Sequence, residues 1–274
     1  MINYDHRPDY TSYTPTQEDL LVIRKSLDAL PPSFKKALSQ RVVGLYFVNN
    51  FQGNGFTEWL RDKKGKKYFF MAFNPRTLKK NISELLTEKE SSCFMPESTP
   101  LNSTMIYIDG GTDQKAFVAI LLHETAHVID GLNRITKTSE LGPPENGVMY
   151  NPYKYKLFNY SVWDSAKTPV NIYNLPQREL LAFYGSNGGP KISITQAPEL
   201  YYELKTTPFA SLYGSQTSGE DFAELLMFYH LTQKLRQPYK ITVIENGRKV
   251  VEYEPMKNPL VMERFFFLEQ FYRE

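Results

Sequence analysis

Residues 117–130 constrain this chain more than any other stretch. The segment is apolar on every side apart from His123, Glu124, Thr125, His127 and Asp130, the pattern of a helix buried all round. Histidines four residues apart lie just over one turn apart on the same helix face, one above the other. Two imidazoles stacked inside a core need partners. They match two corners of a tetrahedral zinc site, and the intervening Glu124 is within reach of a metal-activated water as general base. Any fold for this chain has to be built around that helix. Thr112 or Asp113, just after Gly110-Gly111, is expected to cap its start, and Asp130-Gly131 to end it.

With 274 residues, 41% hydrophobic and 23% charged, the chain has the composition of an ordinary globular protein and is read as a single domain over 1–274. Its formal charge of +2 comes from 32 basic and 30 acidic residues that are well interspersed. No basic stripe marks a nucleic-acid surface, and Lys63-Lys64-Gly65-Lys66-Lys67 reads as a solvated turn. The single cysteine, Cys93, excludes an internal disulfide and reads as a small core residue. No run approaches the roughly 18 apolar residues of a membrane span, and Met1-Ile2-Asn3-Tyr4-Asp5 lacks signal-peptide form.

Taken in order, residues 1–15 read as a loosely attached arm. Residues 16–30 read as a helix with a Thr16…Asp19 capping arrangement, ended by Pro31-Pro32, with a short turn at 33–38. Strands are expected at 42–48 and 68–73, a helix at 77–88, and a strand at 105–108 just before the histidine helix. This order predicts an α+β fold with a mixed sheet beside the central helix. Residues 105–108 are a candidate edge strand on which an extended peptide could pair. Residues 132–175, rich in Pro, Asn and Tyr, read as a loop-rich lip over a cleft. Residues 176–274 read as mainly helical, with short helices at 178–184 and 198–204 and a terminal hairpin and helix.

Two histidines leave a catalytic zinc site one protein ligand short. Positions 130 and 133 hold Asp and Asn, so the third histidine of the longer HExxHxxGxxH form is missing; the other histidines are His6, in the arm, and His230. A carboxylate from a second helix is the natural alternative. Ser218-Gly219-Glu220-Asp221-Phe222-Ala223-Glu224 begins such a helix, with Ser218 and Asp221 as an expected capping box. Glu220 and Glu224 repel each other at this spacing unless a cation lies beside them. On spacing alone they are either ligands or an acidic first turn favoured by the helix dipole. Asp130, close to one turn past His127, is either a partner for a histidine ring N–H or a surface residue at the helix end.

His123-Glu-x-x-His127 with Asp130, followed by Tyr213-Gly214, five residues, Glu220, one residue and Phe222-Ala223-Glu224, resembles the catalytic domain of the anthrax lethal factor family of zinc metallopeptidases. Cys93-Phe94-Met95-Pro96-Glu97-Ser98 resembles that family's approach to its substrate-side strand. The resemblance implies a zincin-like fold and one Zn2+ held by His123, His127 and Glu220. It also implies Glu124 as general base, Tyr213 as donor to the oxyanion and Glu224 as a group orienting a ligand. The implied activity is endopeptidase cleavage of a peptide or protein substrate, and the resemblance favours export. The stretch between His127 and Glu220 is longer than in that family, so substrate preference is not carried over. A catalytically inactive, zinc-stabilised protein-binding module is the alternative, although it has no need of Glu124 or Tyr213.

Overall fold

The computed structural model describes residues 7–97, 103–137, 142, 158–159 and 161–273. His6 and most of the expected lip lie outside them. Helix α1 (Gln17–Ala29) starts at the predicted capping box: Thr16 Oγ1 accepts from the Asp19 N–H, and the Asp19 carboxylate accepts from the Thr16 N–H. Asp19 also accepts from the Tyr13 hydroxyl and pairs with Lys79. Strand β1 (Thr11–Ser12) runs antiparallel to β2 (Val42–Asn49), and Tyr10 is buried. Residues 7–15 are therefore fastened to the sheet rather than loosely attached. Helix α2 (Pro32–Arg41) is longer than the expected short turn, with proline at its favoured first position.

The first sheet also holds β3 (Gly55–Arg61) and β4 (Lys67–Phe73), in the order β1-β2-β4-β3, with β2 and β4 parallel and β3 and β4 antiparallel. It is a mixed sheet, as expected, with two strands, β1 and β3, that were not expected. Every residue of β3 is partly buried, so the in–out alternation that reveals a strand in sequence is absent. Lys67 leaves the basic turn and is buried, its ammonium 5.5 Å from the Trp59 ring centroid. The helix expected from Thr77 divides into a 3-10 turn (Pro75–Leu78) and α3 (Ile82–Ser91), because Asn81 and Glu84 form a reciprocal capping box that restarts the chain.

After β5 (Phe94–Met95) and β6 (Thr104–Asp109) comes the histidine helix, α4 (Ala116–Asn133). Neither Thr112 nor Asp113 caps it; Lys115 is the N-cap, without a side-chain hydrogen bond, and the Ala116 N–H donates to Lys80 O at 2.9 Å. Its other end also differs from expectation. Gly131 stays inside the helix, and Arg134 closes it at φ +55. The Asp130 carboxylate makes that end possible, accepting from the Ile135 and Thr136 N–H groups at 2.8 Å and from the Thr136 hydroxyl. Asp130 is thus committed to the chain after the helix and makes no hydrogen bond to a histidine among the described residues.

Strand β7 (Ile192–Ser193) pairs with β5, followed by α5 (Ala197–Leu204) and α6 (Ser218–Tyr229). Residues 178–184, expected to be helical, form only a 3-10 turn at Arg178–Leu180. Thr217, rather than Ser218 with Asp221, caps α6 by accepting from the Glu220 N–H at 3.1 Å. The expected terminal hairpin is β8 (Lys240–Glu245) and β9 (Arg248–Tyr253), turning at Asn246-Gly247 with φ of 51° and 76°, values typical of a two-residue hairpin turn. Strand β8 pairs with β6, so β6 is an edge strand of a second, antiparallel sheet, β6-β8-β9, packed on α3. The strand alongside the histidine helix is β3.

Helix α4 packs against α1, α2, β3 and α6, with Phe117 edge-on to Phe73 at 5.0 Å between ring centroids. The chain ends in short helices α7 (Pro259–Met262) and α8 (Phe265–Leu268). Among the described residues no helix is long and apolar enough to cross a membrane. The outer side of α6 is tied down by buried Asp221, which accepts from Arg264 through two oxygens at 2.9 and 2.6 Å and from the Trp163 indole at 2.8 Å. Arg264→Met strands that carboxylate with the indole as its remaining side-chain donor. The unfolding free energy in urea is expected to fall by about 3–5 kcal/mol, the cost of an uncompensated buried charge.

Candidate metal centre

Helices α4 and α6 pack face to face, and their packing brings three side chains to one point. His123 Nε2 and His127 Nε2 lie 3.2 Å apart, and Glu220 Oε2 is 3.1 Å from the first and 3.7 Å from the second. One candidate ligand atom from each residue lies within 4.8 Å of the other two. Glu220 Oε2 is buried and makes no hydrogen bond of good geometry. Such an atom is rare in a folded interior. A cation between the two imidazole lone pairs and this oxygen would satisfy all three, so the residues fit a divalent metal with two nitrogen ligands and one oxygen ligand.

The buried charges at this point offset one another. Burial alone would push the His123 imidazole down, yet the Glu220 and Glu224 carboxylates beside it raise it to about 10. His127 is raised too, burial opposing and the Glu220 charge prevailing. Burial would raise Glu220, but the two imidazoles hold it well below the usual carboxylate range. Without metal, protons on the histidines supply the missing positive charge.

Glu224, one turn along α6, backs the centre. It is 1% exposed, and its Oε1 accepts from His123 Nδ1 at 3.0 Å and from Lys89 Nζ at 2.6 Å, while Oε2 accepts from the Ser211 hydroxyl at 2.7 Å. In the neutral imidazole this places the proton on Nδ1 and leaves the Nε2 lone pair toward the ligand point. Burial would raise the carboxyl, but Lys89 and His123 lower it to about 2, so it stays ionised. Lys89 itself carries no motif. The one sequence sign is its place on the apolar stripe of α3, four residues after Leu85 and three after Leu86, where lysine is uncommon unless paired.

Tyr213 stands beside the centre, its ring centroid 6.0 Å from that of His123, edge-on to Phe183 at 5.0 Å, with Lys89 Nζ 4.0 Å from its ring centroid. Burial and the neighbouring charges of Glu220, Glu224 and Glu124 push the phenol well above its ordinary value. It therefore remains a hydrogen-bond donor at neutral pH. Glu124 lines the same cleft as Tyr213 and meets β3, where Thr57 Oγ1 donates to its Oε2 at 2.7 Å. Sequence reading missed Thr57 because it missed the strand that carries it.

His123, Glu124, His127, Tyr213 and Glu220 line this cleft of about 1240 Å³, together with residues 55–58 of β3 and Phe183, Arg178 and Thr217. From the expected lip, Lys167 and Thr168 reach the cleft wall, and Trp163 is buried on Asp221; residues 138–141, 143–157 and 160 lie outside the described residues. The other described histidine, His230, meets Tyr272 OH at 3.0 Å, and burial lowers it to about 4. Cys93 is buried, with its thiol pushed up by that burial, as befits a core residue. No protein-family model, curated protein or solved structure matches the chain.

Because a metal needs the neutral imidazole, binding must displace the proton that His123 holds with a pKa of about 10. Apparent affinity for a divalent cation is expected to rise at least tenfold per pH unit between about pH 6 and 8, since His127 is raised as well. Competition with a chromogenic chelator at several pH values measures the slope, and a flat profile would contradict the protonated metal-free state.

Proposed function

We propose that the protein is a zinc-dependent endopeptidase with a zincin-like fold of the lethal factor type. The observation that carries this reading is the meeting of His123 Nε2, His127 Nε2 and Glu220 Oε2 on the wall of an open cleft, with Glu124 beside them. Three protein ligands with space beyond them are the arrangement of a catalytic rather than a structural zinc site. Zinc held there supplies Lewis acidity, which acidifies a water and polarises a carbonyl.

The chain's own residues supply the rest. Glu124 takes a proton from the attacking water and passes it to the leaving amine as the peptide bond breaks. Tyr213, kept protonated by its surroundings, donates to the oxygen that gains negative charge. Glu224 holds His123 in the ligating tautomer, and Lys89 keeps Glu224 ionised. Strand β3 pairs with β4 along one edge and has no strand on its other edge among the described residues. Gly55, Phe56, Thr57 and Glu58 line the cleft, so an extended peptide is expected to pair there, on β3 rather than on β6.

A zinc-loaded preparation assayed against a peptide library tests the reading. Cleavage is expected, with loss on chelation and recovery on adding zinc. Glu124→Gln is expected to retain one zinc per chain and the native melting temperature while kcat falls by about 10²–10⁴-fold. Stoichiometric zinc with no cleavage of any peptide would leave the zinc-stabilised binding module in its place.

A further inference from the structure

We propose that Gly55 and Thr57 of β3 are positioning residues for the Glu124 carboxylate, one fastening an oxygen and the other leaving its twin free. The proposal rests on the peptidase reading for its catalytic meaning, and on geometry alone for the contact itself. The two residues are two apart and so lie on the same face of the strand. That face meets α4 where Glu124 projects.

Thr57 Oγ1 lies 2.7 Å from Glu124 Oε2 and 3.2 Å from the Glu124 main-chain oxygen. A hydroxyl has one hydrogen to give, and the shorter, charge-assisted bond to the carboxylate takes it. Oε2 is therefore engaged. Oε1 has no hydrogen-bond partner among the described residues, and it faces Gly55. A Cβ at position 55 would lie 2.6 Å from Oε1, 2.9 Å from Glu124 Cγ and 2.6 Å from Ile120 Cγ2. Atoms do not approach so closely, so any side chain there must displace Glu124 or Ile120. Glycine is needed at 55 for space rather than for an unusual backbone conformation.

The pair thus divides the labour on one carboxylate. Thr57 stops the group from rotating, and a neutral hydroxyl does this without cancelling the negative charge, as an ammonium in the same place would. Gly55 leaves the space that the second oxygen occupies, so the carboxylate can keep this orientation. A base held in one orientation need not find it in each turnover, and misplacement by about 1 Å costs rate on the order of 10²-fold.

The test compares zinc-loaded full-length Thr57→Val, Thr57→Ser and Gly55→Ala with the wild type. Thr57→Val keeps the shape of the side chain and removes the donor. We expect unchanged zinc content and melting temperature, KM within about twofold, and kcat reduced about 10- to 100-fold. Thr57→Ser should recover most of that loss, and Gly55→Ala should lower kcat in the presence of Thr57. Crystal structures of the two Thr57 variants give a readout independent of any substrate: the Glu124 carboxylate should leave its position in the valine variant and hold it in the serine variant. Wild-type kcat in Thr57→Val, or an unmoved Glu124 in its crystal structure, overturns the proposal. If the wild-type protein cleaves no peptide, the peptidase reading fails by itself, and the crystallographic comparison still decides whether Thr57 positions Glu124.

Discussion

A carboxylate taken out of water has to be met by donors on every side, and Glu224 meets that demand only when four segments arrive together. Its donors are His123 from α4, Lys89 from α3 and Ser211 from the loop before α6, while Glu224 itself rides on α6. Shift any of these by one residue and an ionised group is left buried without its partner. The register of α6 on α4 is set by this requirement. Because Glu220 lies one turn before Glu224, the same register brings Glu220 Oε2 to the two histidines.

Helix α6 is held from its opposite side by the same kind of contact. Asp221 points away from the centre toward Arg264 and Trp163, and the Ser218 N–H donates to Ala166 O at 2.8 Å. The descending C-terminal chain and the described part of the 161–175 stretch therefore both end on this helix. Apolar contacts alone would let two helices slide with little penalty, whereas buried ion pairs punish a slip.

Much of the local structure was legible because its causes are local. Thr16 and Asp19 are three residues apart and cap α1 with their own atoms; Asn246-Gly247 turns the hairpin through its own backbone preference. The expectations that failed are those in which a neighbour outbid a local signal. Asp130 looked available to His127, but the backbone of Ile135 and Thr136 folds back onto it. Thr112 and Asp113 looked like caps, but the main chain at Lys80 anchors the helix start. Strand β3 escaped notice since its residues are shared between the sheet, α4 and the cleft, leaving no polar face to alternate with an apolar one.

The sequence by itself determined the chemistry available: two imidazoles at one-turn spacing on an apolar helix, a carboxylate between them, and a second helix opening with Glu220 and Glu224. Those features follow from covalent spacing and helical period, which need no partner. Only the tertiary structure decided which atoms meet. It selected Glu220 Oε2 for the histidines and Glu224 for the Nδ1 of His123, recruited Lys89 from more than a hundred residues away, and set Glu124 against Thr57 rather than against β6. The reason is that each of these contacts is made between distant segments, and desolvation makes a buried charge accept only the packing that supplies its partners.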